Sequence, residues 1–92
     1  MRYKVAEHVT CRSTNGELRM LFDRERGVMY ELNESASAIV YALTEGPQSR
    51  AMLIERLSSE FEGSPGQMEG DVDDFLQDFE KAGLIRREDE GT

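Results

Sequence analysis

Apolar residues change their period once along this chain. From Tyr3 to Leu32 they alternate with polar ones; from Ala36 to Leu84 they recur every three or four positions. The alternating part predicts three strands. Residues 3–12 set Val5, His8/Val9 and Cys11 among Lys4, Glu7, Thr10 and Arg12. Asn15-Gly16 follows, a pair that accepts the positive φ of a tight hairpin turn. Residues 17–22 form the second strand, with Leu18, Met20 and Phe22 on one face and Glu17, Arg19 and Leu21 on the other. Residues 23–27 read as a polar turn ending in a glycine able to enter the αL region. Residues 28–32 form the third strand, with Val28, Tyr30 and Leu32 on one face and Met29 and Glu31 on the other. Short connections make the three an antiparallel meander.

The second part predicts three helices. Asn33 is a favoured N-cap, and Glu34 places a negative charge in the first turn. Ala36, Ile39, Val40 and Leu43 then share a face over residues 34–44, and Gly46-Pro47 stops the helix. Ser49 caps a second helix with Met52, Leu53, Leu57 and Phe61 inward. Gly63-Ser-Pro-Gly66 breaks the chain again, and within it Ser64-Pro65 offers a cap and a first helical position. The third helix, near residues 67–81, gathers Met68, Val72, Phe75, Leu76 and Phe79 on one stripe, with Glu69, Asp71, Asp73, Asp74 and Asp78 around it. Gly83 is a natural αL cap, Leu84-Ile85 packs on the core, and residues 86–92 are expected to fray. Strands followed by helices define an α+β fold, here a three-stranded antiparallel sheet followed by three helices. That is the parts list of a winged helix-turn-helix domain.

Length allows a single small domain from the 92 residues, placed at residues 1–87 with 88–92 as a flexible acidic tail. Charge narrows the partners. Nineteen acidic against 11 basic residues give a net charge of −8. That opposes nonspecific nucleic-acid binding, which sets Lys and Arg against phosphates, and favours a basic partner or a basic segment of one. The lone cysteine, Cys11, permits no internal disulfide and fits a reducing cytoplasm. No run nears ~20 apolar residues and the N-terminus has no apolar signal core, so the expectation is a cytoplasmic protein with no membrane partner.

Candidate chemistry is sparse. His8 and Cys11 are i, i+3 on one strand and point to opposite faces, so they form no metal pair. His8 reads as a structural or surface residue and Cys11 as a small strand hydrophobe. The acidic cluster of the third helix lacks the spacing of an EF-hand loop; it reads as a solvated face or as an acidic rim beside a peptide groove. Gly63-Ser-Pro-Gly66 has no following Lys-Ser/Thr and is no phosphate loop. Met20, Met29, Met52 and Met68 read as core filler or as an adaptable binding surface. No catalytic residue, metal site or cofactor is expected.

Several motifs occur in order: Asn15-Gly-Glu-Leu18, Leu21-Phe-Asp23, Gly27-Val-Met-Tyr-Glu-Leu-Asn33, Ala36, Ile39 and Leu43-Thr-Glu-Gly46. Leu53-Ile-Glu-Arg-Leu57, Phe61 and Asp71-Val-Asp-Asp-Phe-Leu-Gln-Asp-Phe-Glu-Lys-Ala-Gly-Leu84 follow. Together they resemble the PqqD family, named for a pyrroloquinoline quinone biosynthesis protein, over roughly residues 5–85. Members are also called RiPP recognition elements, for ribosomally synthesised and post-translationally modified peptides. The resemblance implies a winged helix-turn-helix-like fold. It implies a non-catalytic peptide chaperone that binds the leader segment of a precursor peptide as an added strand, in a groove between the third strand and third helix. The leader is then presented to a modifying enzyme, either a radical SAM enzyme or a lasso-type leader peptidase and cyclase. Carried over by position, the peptide-binding residues are Val28, Met29, Tyr30, Glu31 and Leu32 on the strand, and Asp71, Asp74, Phe75 and Asp78 on the helix. Val40-Tyr41 stands where many members carry an aromatic directly after the Ile.

Two other readings use the same elements: a winged-helix DNA-binding regulator and a structural docking subunit. The third helix opposes the former, with six acidic residues between Glu69 and Glu80 and a single Lys81. The free strand edge is open to a monomer or a homodimer.

Overall fold

Helix starts fall where the cap residues put them. The structure, a computed structural model, describes residues 1–14, 16 and 18–88. Four strands, β1 (Arg2–Val5), β2 (Val9–Ser13), β3 (Arg19–Asp23) and β4 (Val28–Glu31), precede three helices, α1 (Glu34–Thr44), α2 (Arg50–Glu60) and α3 (Pro65–Lys81). A last strand, β5 (Ile85–Glu88), follows them. Asn33 Oδ1 accepts the Ala36 N–H at 2.8 Å, Ser49 Oγ that of Met52 at 3.1 Å, and Ser64 Oγ that of Gln67 at 3.2 Å. Each satisfies a donor that the first helical turn leaves orphaned. Gly27 and Gly83 sit at φ of 69° and 78°, the left-handed values that a turn and a helix end require there.

Strands β2, β3 and β4 form an antiparallel sheet in that order, and with the three helices they make the α+β fold the pattern predicts. The remaining strands correct that reading. Residues 3–12 do not form one strand: β1 pairs antiparallel with β5, and β2 pairs with β3. Residues 6–8 carry the chain from one sheet to the other, held by Ala6 N–H to Leu84 O at 2.9 Å and Arg24 N–H to His8 O at 2.9 Å. Residues 86–88, read as frayed, belong to β5. Its backbone pairs with β1, and Arg87 reaches Glu80 at 2.6 Å while Arg86 reaches Glu7 at 3.2 Å. Glu88 ends that strand, one residue past the expected domain end, and residues 89–92 lie outside the described residues, as do Asn15 and Glu17 of the hairpin signal.

One core joins these layers. Leu21 and Leu32 from the sheet meet Ile39, Val40 and Leu43 of α1, Leu53 and Leu57 of α2, and Met68, Val72, Phe75 and Leu76 of α3. Ile85 of β5 closes it. Burial of this apolar surface, rather than helix propensity, supplies most of the stabilisation. Of the four methionines read as core filler, Met68 is buried, whereas Met29 and Met52 are exposed. Met52 was expected inward; instead its Sδ accepts the Ser49 N–H at 3.4 Å and completes the cap.

Candidate peptide-binding site

Strand β4 stands at the edge of its sheet. Its register on β3 pairs Met20 with Glu31, Leu21 with Tyr30, Phe22 with Met29 and Asp23 with Val28. The hydrogen-bond phase follows from one contact just beyond the strand, Leu32 N–H to Arg19 O at 3.1 Å. Antiparallel pairs alternate between bonded and non-bonded. The bonded pairs are therefore Leu32–Arg19, Tyr30–Leu21 and Val28–Asp23. The N–H and C=O groups of Met29 and Glu31 point the other way, out of the sheet, and no further strand meets them among the described residues.

Side chains alternate with the same parity. Val28, Tyr30 and Leu32 face the helices. Leu32 is 7% exposed and Tyr30 packs against the core, while Val28 at the strand start is 41% exposed. Met29, at 58% exposure, and Glu31 stand on the outer face.

Both ends of β4 are pinned. At the start, Asp23 is fully buried and its Oδ1 accepts the N–H groups of Glu25 at 2.9 Å and Arg26 at 3.0 Å, closing the turn that Gly27 completes. Burial works to raise the Asp23 carboxyl, but the backbone bonds from Arg26 and Glu25, with the nearby His8 and Arg26, hold it below its ordinary value. Its second oxygen makes no hydrogen bond and lies 3.9 Å from both His8 Nε2 and Arg26 Nε. At the far end, the buried Ser37 hydroxyl enters the ladder: Arg19 N–H donates to Ser37 Oγ at 3.0 Å, and Ser37 Oγ donates to Leu32 O at 3.5 Å. Helix α1 is thereby joined to the last rung between β3 and β4.

Helix α3 carries the remaining candidate residues. Its carboxylates fall on two flanks. Glu69, Asp73 and Glu80 point toward α2 and β5, where Arg50 binds Asp73 at 2.6 Å and Glu69 at 3.5 Å. The Arg50 hydrogen bond holds the Asp73 carboxyl below its usual value and pushes the guanidinium up. On the other flank, Asp71, Phe75, Asp78 and Ala82 form a row at helical spacing, with Asp74 beside it. The β3–β4 turn meets that row at its end, where Arg26 Nη1 donates to Ala82 O at 3.0 Å. Phe75 is only 5% exposed and stacks on Phe79 with ring centroids 4.1 Å apart, so it backs this flank from within. Asp74 and Asp78 are exposed and Asp71 half-buried.

The structure thus places four predicted positions on one strand, Leu32 directly after it and four on one helix, with the β3–β4 turn tied to the end of that helix by Arg26. Sequence reasoning missed Ser37, Asp23 and Arg26. Asp23 had a signal, an Asp two and three residues before the N–H groups it accepts. Ser37 had none beyond being a polar residue inside an apolar helix face. Two clefts open elsewhere, one of about 520 Å³ between Arg19, Tyr41 and Phe61 and one of about 340 Å³ between Tyr3, Arg50 and Arg87. Among the described residues no group of three or more His, Cys, Asp or Glu side chains is placed to hold a metal ion, and no helix is long and apolar enough to cross a membrane.

Residues 19–85 match the family described as Coenzyme PQQ synthesis protein D (PqqD). The chain belongs to the PqqD family. Two solved structures share the PqqD-like fold seen here. TbiB1 in complex with the TbiA(beta) leader peptide is 20% identical, with a TM-score of 0.82, covering 95% of this chain and 99% of that one. Lasso peptide synthetase B1 complexed with the leader peptide is 24% identical, with a TM-score of 0.78, covering 92% and 98%. No curated protein matches the chain. The PqqD match starts at Arg19, the first residue of β3, and ends at Ile85, so it spans the free strand edge and the whole of α3.

Proposed function

We propose that this protein is a RiPP recognition element: it binds the leader segment of a ribosomally synthesised precursor peptide and delivers it to a modifying enzyme, without itself doing chemistry. The observation that carries this reading is the open edge of β4, where Met29 and Glu31 turn their backbone groups away from β3. Such an edge templates an extended peptide through main-chain bonds, while side chains along it set specificity. Membership of the PqqD family supports the reading, as does the fold shared with two proteins whose structures hold leader peptides. The guest lies along residues 28–32 with Asp71, Asp74 and Asp78 beside it and Phe75 behind. The receiving enzyme is a radical SAM enzyme or a lasso-type leader peptidase and cyclase, and the encounter takes place in the cytoplasm.

An NMR titration of the labelled protein with synthetic leaders of the precursor peptides encoded beside its gene tests this. The expected result is saturable binding with shifts confined to residues 28–32 and 67–79, largest at the Met29 and Glu31 amides. Absence of saturable binding to every such leader refutes it.

A further inference from the structure

The charge beside the docking edge distinguishes one kind of guest. Helix α3 carries acids on both flanks, but only one flank is neutralised from within the chain. Arg50 takes Asp73 and Glu69, and Arg87 takes Glu80. Asp71, Asp74 and Asp78, on the flank that the β3–β4 turn meets, have no ion pair among the described residues. Lys81 follows Asp78 by three positions and still makes none with it. At the other end of the edge, Glu31, and Glu34 in the first turn of α1, likewise make no ion pair among the described residues. Arg26 is committed to Ala82 O and to the buried Asp23. A strand added to β4 therefore runs beside carboxylates that make no ion pair among the described residues.

We infer that the segment bound on β4 is basic, with Lys or Arg at alternate positions facing α3. This rests on the strand-addition reading above. In an extended guest every second side chain lies on one face, about 6.8 Å apart. Asp71, Asp74 and Asp78 step along their helix by about 4.5 and 6 Å, a comparable ladder that long basic side chains can reach. Like charges at i, i+3 and i, i+4 repel one another in the free protein, so a basic guest relieves repulsion as well as adding attraction. The same field draws a basic segment in and turns an acidic one away, which makes charge a determinant of which leader is accepted. A bound cation is the poorer explanation, since these side chains form no metal-holding group.

Selection of an mRNA-displayed library of random 20-residue peptides on the purified protein provides the test. The winners are then titrated by NMR and by anisotropy at 50 and 300 mM NaCl. The expected winners shift the Met29 and Glu31 amides, are enriched in Lys and Arg at alternate positions, and lose affinity at the higher salt. The triple variant Asp71→Asn/Asp74→Asn/Asp78→Asn should bind them about tenfold more weakly, from three exposed pairs worth a factor of about two each. Its circular dichroism spectrum should match that of the parent, because none of the three carboxylates makes a hydrogen bond or ion pair among the described residues. Winners that shift the same amides but are neutral or acidic, with affinity indifferent to salt and to the variant, overturn the inference and leave strand addition standing. Failure to select any peptide that shifts β4 overturns both.

Discussion

Ser37 shows how one hydroxyl can fix the end of a strand pair. It stands on the apolar face of α1, 2% exposed, where an alanine would fit. Its oxygen satisfies the Arg19 N–H and its proton goes to Leu32 O, so it occupies half of a ladder rung. Replacement by alanine leaves a buried donor without its acceptor, which costs about 1–3 kcal/mol. Ser37→Ala should therefore lower the unfolding free energy from urea denaturation by that amount and speed hydrogen exchange at Arg19; an unchanged unfolding free energy would show that β3 and β4 close directly on each other. Other single residues were open to reading from the chain alone. Asn33, Ser49 and Ser64 announce helix starts because their side chains compete locally for backbone donors. Ser37 does not, because its partners lie on another element and only the fold brings them together.

At the level of elements, alternation along β4 tells which side chains face inward, and this much is legible in the sequence. Hydrogen-bond phase is not. It depends on which residue of β3 stands opposite, and a strand's own pattern contains no record of that. The distinction decides a mutagenesis experiment. Tyr30 N–H points into the sheet toward Leu21, so Tyr30→Pro should break the ladder and unfold the domain. Met29→Pro removes an outward donor instead. It should keep the circular dichroism spectrum and weaken leader binding about tenfold or more, the worth of a lost main-chain bond with its desolvated partner. A folded Met29→Pro protein with parental affinity would place the guest elsewhere. The division of residues 3–12 into β1 and β2 escaped notice for a related reason: both halves alternate, and their different partners, β5 and β3, are distant in sequence. In β5 itself, Arg86, Arg87 and Glu88 offer no period, and the strand exists because β1 supplies a ladder for it.

For the molecule as a whole, acidity dominates solution behaviour. The buried Asp23 and the Arg50-bound Asp73 both release their protons more readily folded than free, since each lies below the ordinary value of 3.8. The stabilisation they give is complete above that value and is lost as pH falls through their lower folded values. Unfolding free energy should accordingly be flat from pH 7 to about 5 with respect to these groups and decline steeply below about pH 4. Asp23→Asn, which keeps an acceptor for the two turn N–H groups, should flatten part of that decline; an identical acid profile would remove Asp23 from the account. The fold class was legible because strand and helix periods separate cleanly at Asn33. The second, two-stranded sheet was not, because its register joins the two ends of the chain.

The proposed docking edge is short, and its shortness limits what can stay there. Met29 and Glu31 together offer two N–H and two C=O groups, four backbone bonds at most. At about 1 kcal/mol net apiece these give about 4 kcal/mol, no more than the lower bound of about 4 kcal/mol for losing free motion on association. A strand with nothing but a backbone to contribute will leave as fast as it arrives. Residence must therefore come from side chains. On the proposed function, a leader that adds fitting side chains to those four bonds would outstay one that does not.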